Sequence, residues 1–353
     1  MNAPSLNPPS KIRVLVVDDS AIVRKILTDA LSTEPDIEVV GAAPDPFVAR
    51  DKILALRPDV LTLDIEMPRM DGVSFLRKLM RYHPIPTIII SSLTQASSQA
   101  AVEALQAGAV EVLAKPDGPY SVGELRQVLA SKIRAAAASR PRRPSVEEAP
   151  AAPPVQPQLR APSASAVTMI AIGASTGGTE AILEVLTHLP GNAPPIVIVQ
   201  HIPAVFSKAF ADRLNGLCAM EVKEACQGDE LQPGRALIAP GGFHMLVKRH
   251  PGGHHVELTA TLPPVCYQRP AVDVLFQSVA EIAGPSTVAA ILTGMGSDGA
   301  QGLAALKSAG AKTIAQDEAS CVVFGMPKEA IRLGGVDSIL PLDRVAAGIL
   351  RWC

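Results

Sequence analysis

The stretch IAIGASTGGTEAI, from Ile170 to Ile182, sets Ser175 among glycines at the end of an apolar run. Two chemistries compete for such a loop. A glycine-rich turn entering a helix N-terminus is an anion site, and Gly173 and Gly178 have the spacing of a phosphate-binding loop. Thr179 and Glu180, however, stand where that loop needs Lys and then Ser or Thr, so an acid replaces the required cation. The dinucleotide pattern fails too, because Ser175 takes the place of the second glycine, where the backbone must approach pyrophosphate. The same residues fit G-x-S-x-G, a sharp strand-to-helix turn that exposes a serine hydroxyl. The structural alternative is an N-cap serine that satisfies helix N–H groups.

A nucleophilic serine needs a base, and the base needs an orienting acid. His201 ends the apolar run PIVIVQH, where an adjacent parallel strand would set it beside Ser175. Asp298 lies in LTGMGSDGAQGL, a glycine-rich loop after another apolar run. Each has a plainer reading, His201 as a structural strand-end histidine and Asp298 as a helix cap before Ala300. Together they end three buried strands in the order Ser, His, Asp.

A second constellation occupies the first third of the chain. Asp18 and Asp19 follow one apolar run, Asp64 another, Ser91 and Ser92 a third, and Lys115 a fourth. Crowded carboxylates repel unless a cation joins them, and an all-oxygen set suits Mg²⁺. A carboxylate beside Mg²⁺ and the Lys115 ammonium can accept a phosphoryl group, since both cations offset charge on the attacking oxygen.

The elements that position these residues are legible as runs. IRVLVVDDS, IEVVG, DVLTLD, TIIISS and EVLAKP alternate with amphipathic stretches such as SAIVRKILTDALS, which predicts five βα units and a parallel, doubly wound sheet. Beyond Val167, VTMIAIG, PIVIVQHI, STVAAILTG and AKTIAQD alternate with helical stretches in the same way, broken by a β-rich insert from Ala236 to Thr259. A Pro- and Ala-rich stretch between them reads as a linker. A length of 353 residues exceeds what one core holds, so two domains are expected. A net charge of −2 offers no field for nucleic acid, and the second half has no basic helix, which weighs against a DNA-binding output. No leader and no membrane-spanning run are found, so a cytoplasmic protein without membrane insertion is expected. Five scattered cysteines form no pair motif and read as reduced thiols. His244, His250, His254 and His255 read as part of a solvated hairpin around Pro251 to Gly253 and not as a metal site.

The motifs VVDDS, LDIEMPRMDG, ISS and KP resemble the response-regulator receiver domain, a flavodoxin-like fold, over residues 11–134. By that resemblance Asp64 is the phosphoacceptor, Asp18, Asp19, Asp64 and the Glu66 backbone carbonyl hold Mg²⁺, and Ser91 and Lys115 are the switch residues. GASTGG, QHIP, RPAVDVLF, LTGMGSDGAQG and AQDEASCVVFGMP are similar to the catalytic domain of the CheB family of chemotaxis methylesterases, over 167–353, with 135–166 as the linker. The resemblance implies hydrolysis of glutamate methyl esters on methyl-accepting chemotaxis receptors, deamidation of their glutamines, and phosphorylation by the histidine kinase CheA. It implies no cofactor in the second domain, and Ser175, His201 and Asp298 as nucleophile, base and orienting acid. Thr176 and Met295 are the candidates for the oxyanion pocket, Met295 through its backbone N–H. Members of this family often carry histidine where this chain has Gln268. A scaffold with a vestigial triad is the competing non-enzymatic reading.

Overall fold

A computed structural model describes residues 11–92, 94–115, 122–139 and 167–353. These fall into two compact units, one on each side of the Pro-rich stretch. Most of the expected linker, 140–166, and Pro116 of the KP motif lie outside the described residues.

The first unit alternates β1 (Ile12–Val17), α1 (Ala21–Ser32), β2 (Ile37–Ala43), α2 (Pro46–Leu56), β3 (Val60–Asp64), α3 (Gly72–Tyr82), β4 (Thr87–Ser91), α4 (Gln95–Gln106), β5 (Glu111–Ala114) and α5 (Val122–Ala138). Its sheet is parallel, in the order β2-β1-β3-β4-β5. This is the flavodoxin-like order, whose switch point lies between β1 and β3. Those two strands end next to Asp18 and at Asp64. Strands β3 and β4 are buried along their whole length, which is why they read as continuous apolar runs.

Helix α5 corrects one expected boundary. It runs through Ala138, four residues past the expected limit at 134. Alanine is the best helix former, and the extra turn is held by packing: Ile133, Ala135 and Ala136 are buried, while Arg134 binds Glu34 and Asp36. The Arg134 guanidinium pulls the Asp36 carboxyl down to about 2.

The second unit holds β6 (Met169–Ala174), α6 (Gly178–Thr187), β7 (Ile196–Gln200), α7 (Ala204–Leu217), β8 (Glu221–Glu224), β9 (Arg235–Ile238), β10 (His244–His250), β11 (Gly253–Thr259), α8 (Val272–Ala283), β12 (Thr287–Ile291), α9 (Ala300–Ser308), β13 (Lys312–Gln316), α10 (Met326–Arg332), β14 (Ser338–Leu340) and α11 (Leu342–Leu350). Seven strands form a parallel sheet in the order β14-β13-β12-β6-β7-β9-β8. The expected insert is therefore shorter than predicted. Arg235–Ile238 belongs to the main sheet, paired with β7, and only β10 and β11 form the separate antiparallel hairpin. Strand β6 opens the unit yet lies inside the sheet, with β7 on one side and β12 on the other. The chain reverses its winding there, and ligands of open α/β sheets collect at such a point.

Candidate functional site

In the second unit the register Gly173↔Val199 and Ala174↔Gln200 makes Ser175 and His201 the next residues of two neighbouring strands. The ladder continues one step past the strands, with His201 N–H donating to the Ala174 carbonyl at 3.2 Å. On its other side, Ser175 N–H donates to the Thr293 carbonyl at 3.0 Å, so the loop after β12 is tied to the same residue. Gly294 allows this approach, since a Cβ there would lie 2.8 Å from Ser175 Cβ. Helix α6 is capped by Gly177 without a side-chain hydrogen bond, so Ser175 does not serve as its cap.

His201 Nε2 and Asp298 Oδ2 are 2.7 Å apart, both groups nearly buried. A carboxylate only accepts, so Nε2 donates to Asp298 and Nδ1 is the ring nitrogen turned away from it. This is the reverse of the trypsin-type arrangement, in which Nδ1 faces the acid. No hydrogen bond of Ser175 Oγ or His201 Nδ1 occurs among the described residues; catalytic hydrogen bonds often tighten only when substrate is bound.

Asp298 is a helix cap, but not of the helix expected. Helix α9 starts behind Gly299 with no side-chain cap, and Asp298 instead accepts from Val272 N–H at 2.7 Å and Asp273 N–H at 3.0 Å, at the N-terminus of α8. The positive end of the α8 macrodipole faces this carboxylate. Asp273 returns the contact, accepting from Gly302 N–H of α9 at 2.7 Å. Burial pushes the Asp273 carboxyl up, and the charge of Asp298 adds to the effect.

Two positioning residues have no role in the sequence reading, and a third is placed by it in the wrong surroundings. The Gln200 amide donates to the carbonyls of both Ser175 (2.8 Å) and His201 (3.1 Å), bridging the two strand ends. Gly178 is required beside it, because a Cβ there would fall 2.1 Å from Gln200 Oε1. Asp273 is the second. The third, His244, corrects the reading of a wholly solvated hairpin: it is buried, accepts from Ala271 N–H at 3.2 Å through Nδ1, and donates through Nε2 to the Pro263 carbonyl at 3.1 Å. Burial, and secondarily the Arg269 charge, push its pKa down, keeping the ring neutral. The available signals were polar residues at the ends of apolar strands and in the first turn of a buried helix.

Thr176 is buried and its carbonyl accepts from Thr293 Oγ1 at 3.0 Å. Met295 is half-buried beside Gly325, and its backbone N–H makes no hydrogen bond among the described residues. Gln268 closes a two-residue turn with Val265 through hydrogen bonds of 2.8 and 3.1 Å.

In the first unit, oxygens of Asp18, Asp19 and Asp64 lie within 4.8 Å of one another. Lys115 Nζ is 2.8 Å from Asp64 Oδ2 and 3.1 Å from Asp18 Oδ2, both ion-pair distances. Both Oδ2 atoms are buried and have no hydrogen bond among the described residues. Burial pushes Asp64 up to about 6 against the pull of Lys115, and raises Asp18 as well. Burial alone would lower Lys115, but Asp64 and Asp18 outweigh it and hold its pKa high. One ammonium thus pairs with two of three neighbouring carboxylates, and a divalent cation with oxygen ligands fits the deficit. Ser91, at the end of β4, is buried, with Oγ 3.4 Å from the Ser92 carbonyl, and its own carbonyl accepts from Lys115 N–H at 2.8 Å. The exposed Glu66 carboxylate accepts from Ser92 Oγ and Ser97 Oγ, clamping the loop before α4.

A flavodoxin-like unit with an acidic switch-point pocket, joined to a separate doubly wound unit, defines a receiver with an α/β output domain. Residues 14–129 match the model of the response regulator receiver domain, and residues 170–349 that of the CheB methylesterase. The chain is 56% identical over 342 residues to protein-glutamate methylesterase/protein-glutamine glutaminase 2 of Syntrophus aciditrophicus (strain SB), covering 97% of this chain and 99% of that relative. It is 54% identical over 344 residues to protein-glutamate methylesterase/protein-glutamine glutaminase 4 of Anaeromyxobacter dehalogenans (strain 2CP-C), covering 97% and 95%. The CheB methylesterase catalytic domain of Thermotoga maritima superposes with a TM-score of 0.52 at 40% identity, over 53% of this chain and 98% of that one. The chain belongs to the CheB methylesterase family. No helix among the described residues is long and apolar enough to cross a membrane.

Proposed function

We propose that the chain is a cytoplasmic, phosphorylation-controlled hydrolase that removes methyl esters from glutamates of methyl-accepting chemotaxis receptors and deamidates their glutamines. Its domains are a receiver over 11–134, extended by the end of α5, a linker, and a catalytic domain over 167–353. The observation that carries the reading is the buried hydrogen bond of His201 to Asp298, with His201 ending the strand beside the one that presents Ser175.

Ser175 Oγ attacks the γ-ester carbonyl while His201 takes its proton on Nδ1, the nitrogen that Asp298 leaves free. Asp298 stabilises the imidazolium through Nε2. The tetrahedral oxyanion is met by the Met295 N–H and by Thr176. His201 returns the proton to the methoxy oxygen, methanol leaves, and water activated by the same ring releases glutamate from the acyl-enzyme. A glutamine substrate follows the same course with ammonia as the leaving group.

In the receiver, the histidine kinase CheA donates a phosphoryl group to Asp64. Asp18, Asp19, Asp64 and the Glu66 carbonyl would hold Mg²⁺, which would supply positive charge beside the phosphoacceptor. Lys115 neutralises the modified Asp64, and the weakly held Ser91 hydroxyl turns toward it.

Release of labelled methanol from methylated receptor membranes tests the reading. Ser175→Ala should lose on the order of 10⁴-fold or more, and equal rates would remove the mechanism. A small-molecule phosphodonor with Mg²⁺ should speed the wild type but not Asp64→Asn.

A further inference from the structure

Between β11 and α8 the chain makes a turn of unusual composition. Val265 and Gln268 pair across it by two backbone hydrogen bonds, and the two central residues, Cys266 and Tyr267, have φ of +51° and +63°. Both central residues of this turn type require positive φ, which Asn-Gly supplies most easily. Here a thiol and a bulky aromatic hold that backbone instead, and such strain gathers at functional sites. Tyr267 is 86% exposed, so its ring does not hold the fold together.

The turn belongs to the rim of the site. Cys266 Sγ lies 3.9 Å from Ser297 Oγ, and Ser297 directly precedes Asp298. The charges of Asp298 and Asp273 reach the Cys266 thiol and contribute to raising its pKa, after burial and against the Ser297 contact. Two further exposed apolar residues lie in segments tied to Arg269, two residues after Tyr267. Gly242 N–H donates to the Arg269 carbonyl, which brings Phe243 alongside, and Arg269 Nη2 donates to the Leu262 carbonyl at 2.7 Å. Phe243 and Leu262 are 45% and 40% exposed.

From these observations we infer that Tyr267, with Phe243 and Leu262 beside it, is the docking surface for the protein chain that carries the esterified glutamate, and that Tyr267 sets affinity for that chain. The inference rests on the methylesterase reading and deepens it. A glutamyl side chain is short, so once its ester reaches Ser175 the polypeptide bearing it must lie across the rim. The occupant is therefore the substrate's own backbone surface, with apolar side chains flanking the glutamate to meet the ring. An exposed aromatic held by a stiff two-residue turn loses little conformational freedom on contact, which suits it to recognition.

The test uses the full chain, with methanol release from methylated receptor membranes and, separately, the rate at which a fluorophosphonate labels Ser175. Tyr267→Ala should raise KM about 5- to 30-fold, the range for losing an aromatic anchor, with kcat and labelling rate within about twofold of wild type. Tyr267→Gly, which suits the left-handed backbone, should lose as much as Tyr267→Ala, and Tyr267→Phe should keep most of the affinity. Unchanged KM in the Ala and Gly variants overturns the inference. So does a parallel fall in kcat and labelling, which would assign the turn to holding the triad, or recovery in Tyr267→Gly of what Tyr267→Ala lost. If the wild type neither releases methanol nor takes the label, the hydrolase reading itself fails.

Discussion

Asp298→Asn keeps the shape of the side chain and removes its charge. In the folded protein Oδ2 accepts from His201 Nε2 and Val272 N–H, and Oδ1 from Asp273 N–H. An amide has one oxygen. The orientation that keeps most contacts leaves that oxygen on His201 and Val272 and turns the NH₂ against the Asp273 N–H, so an accepted bond becomes a contact between donors. An unpaired buried N–H costs about 1–3 kcal/mol, and loss of the charge weakens the other two bonds, for a total on the order of 2–4 kcal/mol. In a unit of this size that lowers the melting temperature by about 4–16 °C. The effect on rate should be larger, about 10³- to 10⁴-fold in kcat, because the imidazolium loses its counter-charge as it forms. Methanol release at saturating receptor, measured well below the lowered melting point and beside a thermal unfolding curve, separates the two effects. A lowered melting temperature with a wild-type rate would reduce Asp298 to a helix cap and refute the triad.

Two other outcomes follow from the charges described. Asp64 is held at about 6, above its usual range, so the folded receiver binds more protons than the unfolded chain between pH 4 and 6, and its ionisation opposes folding at higher pH. Asp64→Asn should therefore raise the melting temperature of the Mg²⁺-free protein at pH 7.5, by an amount that shrinks below about pH 6; a fall at pH 7.5 would contradict the crowding of carboxylates. His244 has the opposite linkage: its folded pKa lies below 6.5, so the stability it contributes is full above that pH and is lost as pH falls through it. His244→Gln, whose amide can accept from Ala271 N–H and donate to the Pro263 carbonyl, should flatten the fall of stability as pH drops below the ordinary histidine range. An unchanged slope in urea unfolding would assign the dependence to other groups.

The first sheet was legible because β3 and β4 are buried on both faces and so read as unbroken apolar runs. The same rule hid the edges of the second sheet. EVKE in β8 is a polar edge strand, β14 has only three residues, and β9 was absorbed into the neighbouring insert because Pro and Gly flank it. Ser175, His201 and Asp298 could be placed at one sheet edge because each follows an apolar strand. Which helix Asp298 caps, and which ring nitrogen His201 turns to it, depends on where α8 docks, and no local pattern encodes that. His244 was misread because alternation along a hairpin does not reveal that its first residue lies under the loop leading into α8.

The place of β6 within the second sheet has a consequence during synthesis. The ribosome makes Ser175 and His201 early in this unit, but the strand that pairs with the other flank of β6, opening at Thr287, and Asp298 beyond it emerge long after both. Under the proposed mechanism, a nascent chain or a truncated product holds hydroxyl and imidazole without their counter-ion, and hydrolysis has to wait for nearly the whole polypeptide.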